Sequence, residues 1–237
     1  MNTQNFFIRS KAFIASASLL VLLSCSKNSQ DTSTTPAASV MAFNLAPDKS
    51  NVAFAVSGSR LGNTVLNFAQ YSGNYLGAPP GDKVVQAFDN NSSNTIFAST
   101  SYTFQTDKFY SVFFVGKGAH YANLVVNDDI SSLSGSSGNA YIRYVQAIPD
   151  STSAFNVVIT NAGGTIISDV VGFPMISTFK AVTPGQITIS VTNGNDITLN
   201  KSITTEPKKV YTILLAGVAN STTAPLQISP IINGTLN

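Results

Sequence analysis

The chain has 237 residues, of which only 10% are charged, with 13 Lys and Arg against 11 Asp and Glu, one His, one Cys and no Trp. A single histidine excludes multi-histidine metal sites and paired-histidine catalysis. A single cysteine excludes an intrachain disulfide, and zinc-ligand spacing is absent. No Lys/Arg run offers to neutralise phosphates, so there is no nucleic-acid footprint.

The N-terminus reads as an export signal. Arg9 and Lys11 precede a 12-residue run, Ala12 to Leu23, broken only by two serines. That is shorter than the ~20 residues a helix needs to span a bilayer, and it suits the apolar region of a signal peptide. Leu22-Leu23-Ser24-Cys25 follows and resembles the lipobox of bacterial lipoproteins. The resemblance implies cleavage before Cys25, a diacylglycerol thioether on its sulfur and acylation of its new amino group. Several acyl chains give the stable anchoring that one cannot. The alternative is a buried, inert cysteine, but Cys25 lies outside any core pattern. Loss of residues 1–24 removes Arg9 and Lys11 and leaves eleven basic and eleven acidic residues. Residues 25–39 read as the lipidated cysteine and a flexible tether, "SKNSQDTSTTPAAS" after the cysteine, with a coil reach of about 20 Å. Lys27 and Asn28 stand where acidic residues often mark surface export in Bacteroidetes-type lipoproteins, so the periplasmic and surface faces of the outer membrane both remain open.

The rest of the chain repeats itself. "NLAPDKSNVAFAVSG" from Asn44 parallels "QAIPDSTSAFNVVIT" from Gln146, "GAPPGDKVVQAF" parallels "AVTPGQITISV", and "DKFYSVFFVG" parallels "KKVYTILLAG". Pro47 matches Pro149, Pro80 matches Pro184, Tyr110 matches Tyr211 and Gly116 matches Gly217, at offsets of 102, 104, 101 and 101. An offset near 100 is too long for a solenoid repeat and fits two copies of one domain. The predicted organisation is domain one at 40–130, a Ser/Gly linker at 131–139 and domain two at 140–237.

Both copies read as all-β. Val52–Ser57, Lys83–Phe88, Tyr110–Val115, Phe155–Thr160, Gln186–Thr192 and Val210–Ala216 are rich in Val, Ile, Phe, Tyr and Thr. In "QITISVT", Ile187, Ile189 and Val191 alternate with Thr188 and Ser190, which predicts one core face and one solvent face. "YSVFFVG" and "YTILLAG" are continuously apolar, as expected of a central strand covered on both sides. "NAGG" and "TNGND" are hairpin signals. The spacing of these runs predicts a sandwich of seven or eight strands per copy. The expected fold is therefore two tandem immunoglobulin-like β-sandwich domains after a lipoprotein signal peptide and tether.

The order of these motifs (Pro-Asp and a short strand, Pro-Gly and a strand, then Tyr opening an apolar strand that ends in Gly) resembles domain of unknown function 4397. The resemblance covers nearly all of residues 40–237. It implies an extracellular β-sandwich, often in tandem and often on lipoproteins, and it implies no activity. The family often has an acid in the strand after Pro-Asp. Here those strands read Val52-Ala53-Phe54-Ala55-Val56 and Phe155-Asn156-Val157-Val158, so any role for that acid is absent.

The repeated residues have structural readings first. Pro47-Asp48 and Pro149-Asp150 suit turns, because Pro presets φ and Asp bonds nearby backbone. Tyr110 and Tyr211 suit tyrosine corners. For chemistry, a Ser-His-Asp triad would have to use His120, which has no G-x-S-x-G nearby. Asn127-Asp128-Asp129 and the oxygen-rich stretch from Asp89 lack the spacing of a calcium loop and read as solvated loops. No catalytic residue, metal or cofactor is expected. Tyr71 and Tyr75, in "AQYSGNYLG" beside Gly and Asn, are the candidate ligand-binding rings, able to stack on a sugar or anchor a protein. The expected function is non-enzymatic: a membrane-anchored envelope lipoprotein in adhesion, scaffolding or ligand capture, with the membrane as one partner through Cys25 and an envelope protein or a glycan as another. The alternative is a glycan-binding accessory lipoprotein of a polysaccharide-uptake system.

Overall fold

A computed structural model describes residues 37–149, 154–194 and 197–237. Cys25, the tether up to residue 36 and Asp150 lie outside them. The first copy contains β1 (Ala38–Asn44), β2 (Val52–Val56), β3 (Ser59–Arg60), β4 (Gln70–Tyr71), β5 (Leu76–Ala78), β6 (Gly81–Asp89), β7 (Ser92–Phe104), β8 (Phe109–Lys117) and β9 (His120–Asn127). The second contains β10 (Ala140–Ala147), β11 (Phe155–Asn161), β12 (Gly164–Val171), β13 (Met175–Ile176), β14 (Lys180–Val182), β15 (Gly185–Asn193), β16 (Ile197–Thr205), β17 (Lys209–Ala216) and β18 (Gln227–Thr235). β1 begins inside the stretch read as tether. Among the described residues each copy has nine strands rather than seven or eight, because β3, β4, β5, β13 and β14 are edge pieces of two or three residues. Segments that short leave no periodic signal.

The two copies share one topology. In the first, β4-β1-β8-β9 form one sheet with β5 also on β1, and β3-β2-β6-β7 form the other. In the second, β13-β10-β17-β18 with β14 on β10 face β12-β11-β15-β16. β1 runs parallel to β8, as β10 does to β17, and the other pairings are antiparallel. The chain is thus two all-β sandwiches in tandem.

The repeated residues fix matching corners. The Tyr110 hydroxyl accepts the Gln105 N–H at 2.9 Å, and the Tyr211 hydroxyl accepts the Glu206 N–H at 3.0 Å. Each ring is buried where the chain turns into β8 or β17. Gly116 and Gly217 sit at φ of 116° and 109°. A Cβ there would collide with the carbonyl oxygen of His120 or of Pro225, so the repeat admits only glycine. Pro47 and Asp48 form a turn, and the Asp48 carboxylate accepts from the Gly118 N–H at 2.9 Å and the Tyr121 hydroxyl at 2.6 Å.

Each sandwich has its own core. Val40, Phe54, Val85, Tyr110, Val112 and Phe114 belong to the first, and Ile142, Phe155, Ile189, Val191, Tyr211 and Ile213 to the second. A third cluster lies between the sandwiches: Met41, Phe43, Leu45, Phe113 and Val115 from β1 and β8 and the segment after β1, against Val145, Ala147, Leu214 and Ala216 from β10 and β17. Alternate residues of one strand therefore serve two cores, since Val40 and Ala42 face inward while Met41 and Phe43 face the other sandwich. This is why the Tyr-led strands carry no polar alternation. Their second cover is the neighbouring copy.

The segment read as a plain Ser/Gly linker is anchored. It forms two 3-10 turns, Ile130–Ser132 and Gly135–Ser137. Ile130 and Leu133 pack with Tyr141, Val210 and Leu236. The Tyr141 hydroxyl bonds both the N–H and the C=O of Ser134 at 3.1 Å.

Candidate ligand site at the seam between the sandwiches

A buried ion pair sits in the seam. Arg143 Nη1 lies 2.6 Å from Asp128 Oδ1, with the two side chains 3% and 0% exposed. Asp128 directly follows β9 and Arg143 stands in the middle of β10, so the pair joins the two copies. Arg143 also donates from Nε to Thr212 Oγ1 at 2.9 Å and from Nη2 to Ser111 Oγ at 2.8 Å. Ser111 and Tyr75 both donate to Asp128 Oδ2, at 2.8 and 2.5 Å. The Thr212 hydroxyl donates to Asn233 Oδ1 at 2.6 Å, and Asn233 Nδ2 donates to the Tyr75 oxygen at 3.2 Å. Phe179 covers the guanidinium face at 4.4 Å from the ring centroid. Burial, and then the charge of Asp128, push the Tyr75 pKa far above the ordinary phenol value, so this hydroxyl stays a donor.

The network is one half of a near-symmetric arrangement. Met41 on β1 stands opposite Ser111, and Arg143 on β10 stands opposite Thr212. Asp128 takes the Ser111 hydroxyl as Asn233 takes the Thr212 hydroxyl. Arg143 reaches across to Asp128, while Met41 reaches across to Asn233, Sδ to Nδ2 at 4.0 Å. The interface is of the isologous kind, with one charged half and one neutral half.

Two open clefts flank it. The first, of about 290 Å³, lies between the end of β9 with the linker and the β13–β14 segment. Asn127, Asp129, Ser132 and Ser177 stand around it, Phe179 walls it, and the ion pair lies at its base. The second, of about 400 Å³, lies at the opposite edge of the seam, where the segment 64–71 meets β18. It is lined by Thr64, Leu66, Ala69, Gln70 and Tyr71 of the first sandwich and Ile231 of the second.

The two candidate tyrosines separate here. Tyr71 lines the second cleft, its ring stacked on Phe43 at 5.7 Å and 17°, and Phe43 is stacked in turn on Phe113 at 4.6 Å. Tyr75 is turned into the seam, edge-on to Phe109 at 5.0 Å, with its hydroxyl in the buried network. It does not stand clear of the protein as its Gly/Asn neighbours suggested, because β5 carries it onto β1. His120 is exposed at the start of β9. Of the acids read as solvated loop, Asp129 is exposed and Asp128 is buried, a correction caused by the cation across the seam. Arg143 went unnoticed in sequence. Its signal was a lone charge inside the apolar run "AYIRYVQA", which requires a buried partner. Among the described residues no group of three or more His, Cys, Asp or Glu is placed to hold a metal ion.

Comparison with known proteins adds a family. The family model described as Domain of unknown function (DUF4397) matches residues 38–153 and again 140–231. No curated protein matches the chain. The two matches overlap over β10, the strand that carries Arg143 into the seam, and together they span both sandwiches. The chain belongs to the DUF4397 family, in tandem.

Proposed function

We propose that the protein is a non-enzymatic envelope lipoprotein, anchored in the outer membrane through acylated Cys25, that presents a two-sandwich body for adhesion, scaffolding or ligand capture. The observation that carries the reading is the seam. Two tandem domains on a flexible linker would move independently, whereas here an apolar interface, a buried ion pair and an anchored linker join them into one body with clefts built from both copies. A fixed composite surface suits holding a partner. The sequence supplies the anchor and the spacer, and among the described residues no helix is long and apolar enough to cross a membrane.

Metabolic labelling with an alkyne fatty acid, followed by fractionation and crosslinking on intact cells, tests this. The wild-type chain is expected to label, to sediment with membranes and to crosslink to a discrete envelope component. Cys25→Ala is expected to stay unlabelled and uncleaved. Normal labelling of that variant would remove the anchor from the proposal, and a wild-type chain found free in the soluble fraction would remove the location.

A further inference from the structure

We propose that the cleft at Tyr71 is a binding subsite for a neutral hexopyranose unit of a glycan. The proposal names the ligand class for the ligand-capture reading above, although the binding itself does not depend on the anchor. Three observations converge. First, the Tyr71 ring is immobilised before any ligand arrives: β4 pairs it with Phe43 in register, and the stack runs on to Phe113. An aromatic platform whose rotamer is already fixed loses little side-chain freedom on binding. Second, the cleft carries no charged side chain, and its polar groups are those that read sugar hydroxyls. Among the described residues the Tyr71 hydroxyl has no hydrogen-bond partner, and Gln70 uses only its Oε1, on the Asn67 N–H at 2.9 Å, which leaves its amide donors available. Thr64 adds a hydroxyl. Third, the half-buried Val65 and Ile231 give the cleft apolar sides. A pyranose has an apolar C–H face and an equatorial belt of hydroxyls, which is what a ring floor with a polar rim complements. An anionic sugar would find no cation among the lining residues.

The opposite cleft is a poor match for the same ligand. Its ring, Phe179, already lies against Arg143, and Asp129 stands at its edge. The glycan subsite therefore belongs to one side of the seam.

The test uses the mature chain from residue 25 with Cys25→Ser, so that the whole folded body is present without lipid. Saturation-transfer NMR and titration with maltohexaose, cellohexaose, mannohexaose and hexagalacturonate supply the probes. At least one neutral hexaose is expected to bind with a Kd between about 0.1 and 5 mM, as suits a single stacking subsite, and hexagalacturonate more weakly. Tyr71→Ala is expected to weaken binding at least tenfold. Because that change also opens the Phe43 stack, Gln70→Ala and Tyr71→Phe are measured beside it, with urea midpoints for all three. Gln70→Ala is expected to weaken binding several-fold at an unchanged midpoint, and Tyr71→Phe to keep most of it. No binding of any neutral hexaose at 10 mM, on the order of the weakest useful affinity, would overturn the proposal. So would full binding by both Tyr71→Ala and Gln70→Ala, or a preference for hexagalacturonate. Binding that survives these tests while Cys25→Ala still labels normally would leave the subsite standing and the anchor fallen. The reverse pattern would leave the anchor standing alone.

Discussion

The charged half of the seam can be rewritten as its neutral half, which makes the ion pair's worth measurable. Arg143→Met places on β10 the residue that β1 already has at Met41, and Asp128→Asn places after β9 the residue that β18 has at Asn233. Arg143→Met alone leaves a fully buried carboxylate with two hydroxyl donors, Tyr75 and Ser111, and no cation. Asp128→Asn alone leaves a buried guanidinium with only hydroxyl partners and the Phe179 ring. Each single change is expected to cost about 3–5 kcal/mol, the usual penalty for stranding one member of a buried pair. The double variant is expected to lie within about 1 kcal/mol of wild type, because removing both charges also removes their desolvation cost. The double-mutant cycle should therefore return a coupling energy of at least about 5 kcal/mol. Urea melts of the mature chain, followed by far-ultraviolet circular dichroism because the chain lacks Trp, give the midpoints, with the slope as a check that the unfolding reaction is unchanged. Single variants costing under about 1 kcal/mol, or a double variant whose loss equals the sum of the singles, would refute the pair as the seam's electrostatic lock.

Two further outcomes follow from the tyrosines. Tyr110→Phe and Tyr211→Phe each strand a corner N–H, at Gln105 and Glu206. Each is expected to lower stability by roughly 1–3 kcal/mol and the two losses to add, since the sites lie in separate cores; an unchanged urea midpoint in either would sink the corner assignment. The Tyr75 pKa is raised by burial and by Asp128, so its contribution is whole below the unfolded phenol pKa of about 10 and is lost as pH climbs beyond it, where only the unfolded chain ionises freely. Midpoints measured from pH 8 to 11.5 should fall at the alkaline end, less steeply for Tyr75→Phe; equal slopes would show that this hydroxyl is not shielded in the seam.

What the sequence displays depends on how many faces of a strand are covered. "QITISVT" has one buried face, and Ile187, Ile189 and Val191 are buried while Thr188 is exposed, as the alternation predicts. The runs at β2, β6, β8, β11, β15 and β17 were legible for the same compositional reason. β1 and β10 are the most consequential strands and were the least legible. Both faces are covered, so "ASVMAFN" and "AYIRYVQA" show no period of two. β7 is masked differently, by its Ser/Thr-rich edge composition and by irregular register against β6. The candidate site was half legible. Tyr71 and Tyr75 were nominated from local composition, which cannot say that β4 holds one ring at an open cleft while β5 turns the other inward. Asp128 looked solvated because its partner is 15 residues further along in the other copy. Part of the excess of Phe and Tyr in domain one, 14 against 6 in domain two, lies in the seam and the cores. The seam and core positions filled by Phe113 and Phe114 are filled in the second copy by Leu214 and Leu215.

The isologous character of the seam makes a last prediction about the second copy by itself. Residues 140–237 carry a complete core of their own and are expected to fold. Alone, they would expose Val145, Ala147, Leu214 and Ala216, a contiguous apolar face of the kind that soluble monomers avoid. Because the missing cover is a domain of the same topology, a second copy of the fragment can supply it, and the fragment is expected to dimerise. That dimer would bring each Arg143 against the other copy's Asn233, where the intact chain has Asp128, and so would bury two guanidinium groups without a carboxylate. It should therefore be weak. Asn233→Asp restores the carboxylate on both sides and is expected to tighten the dimer, whereas Arg143→Met removes the unpaired cations and should tighten it as well. Combining the two strands a carboxylate and should weaken it again. Sedimentation equilibrium across a concentration series reads the dissociation constant of each variant. A strictly monomeric fragment, or one whose self-association ignores both substitutions, would show that the face joining the two copies in the full chain is not self-complementary.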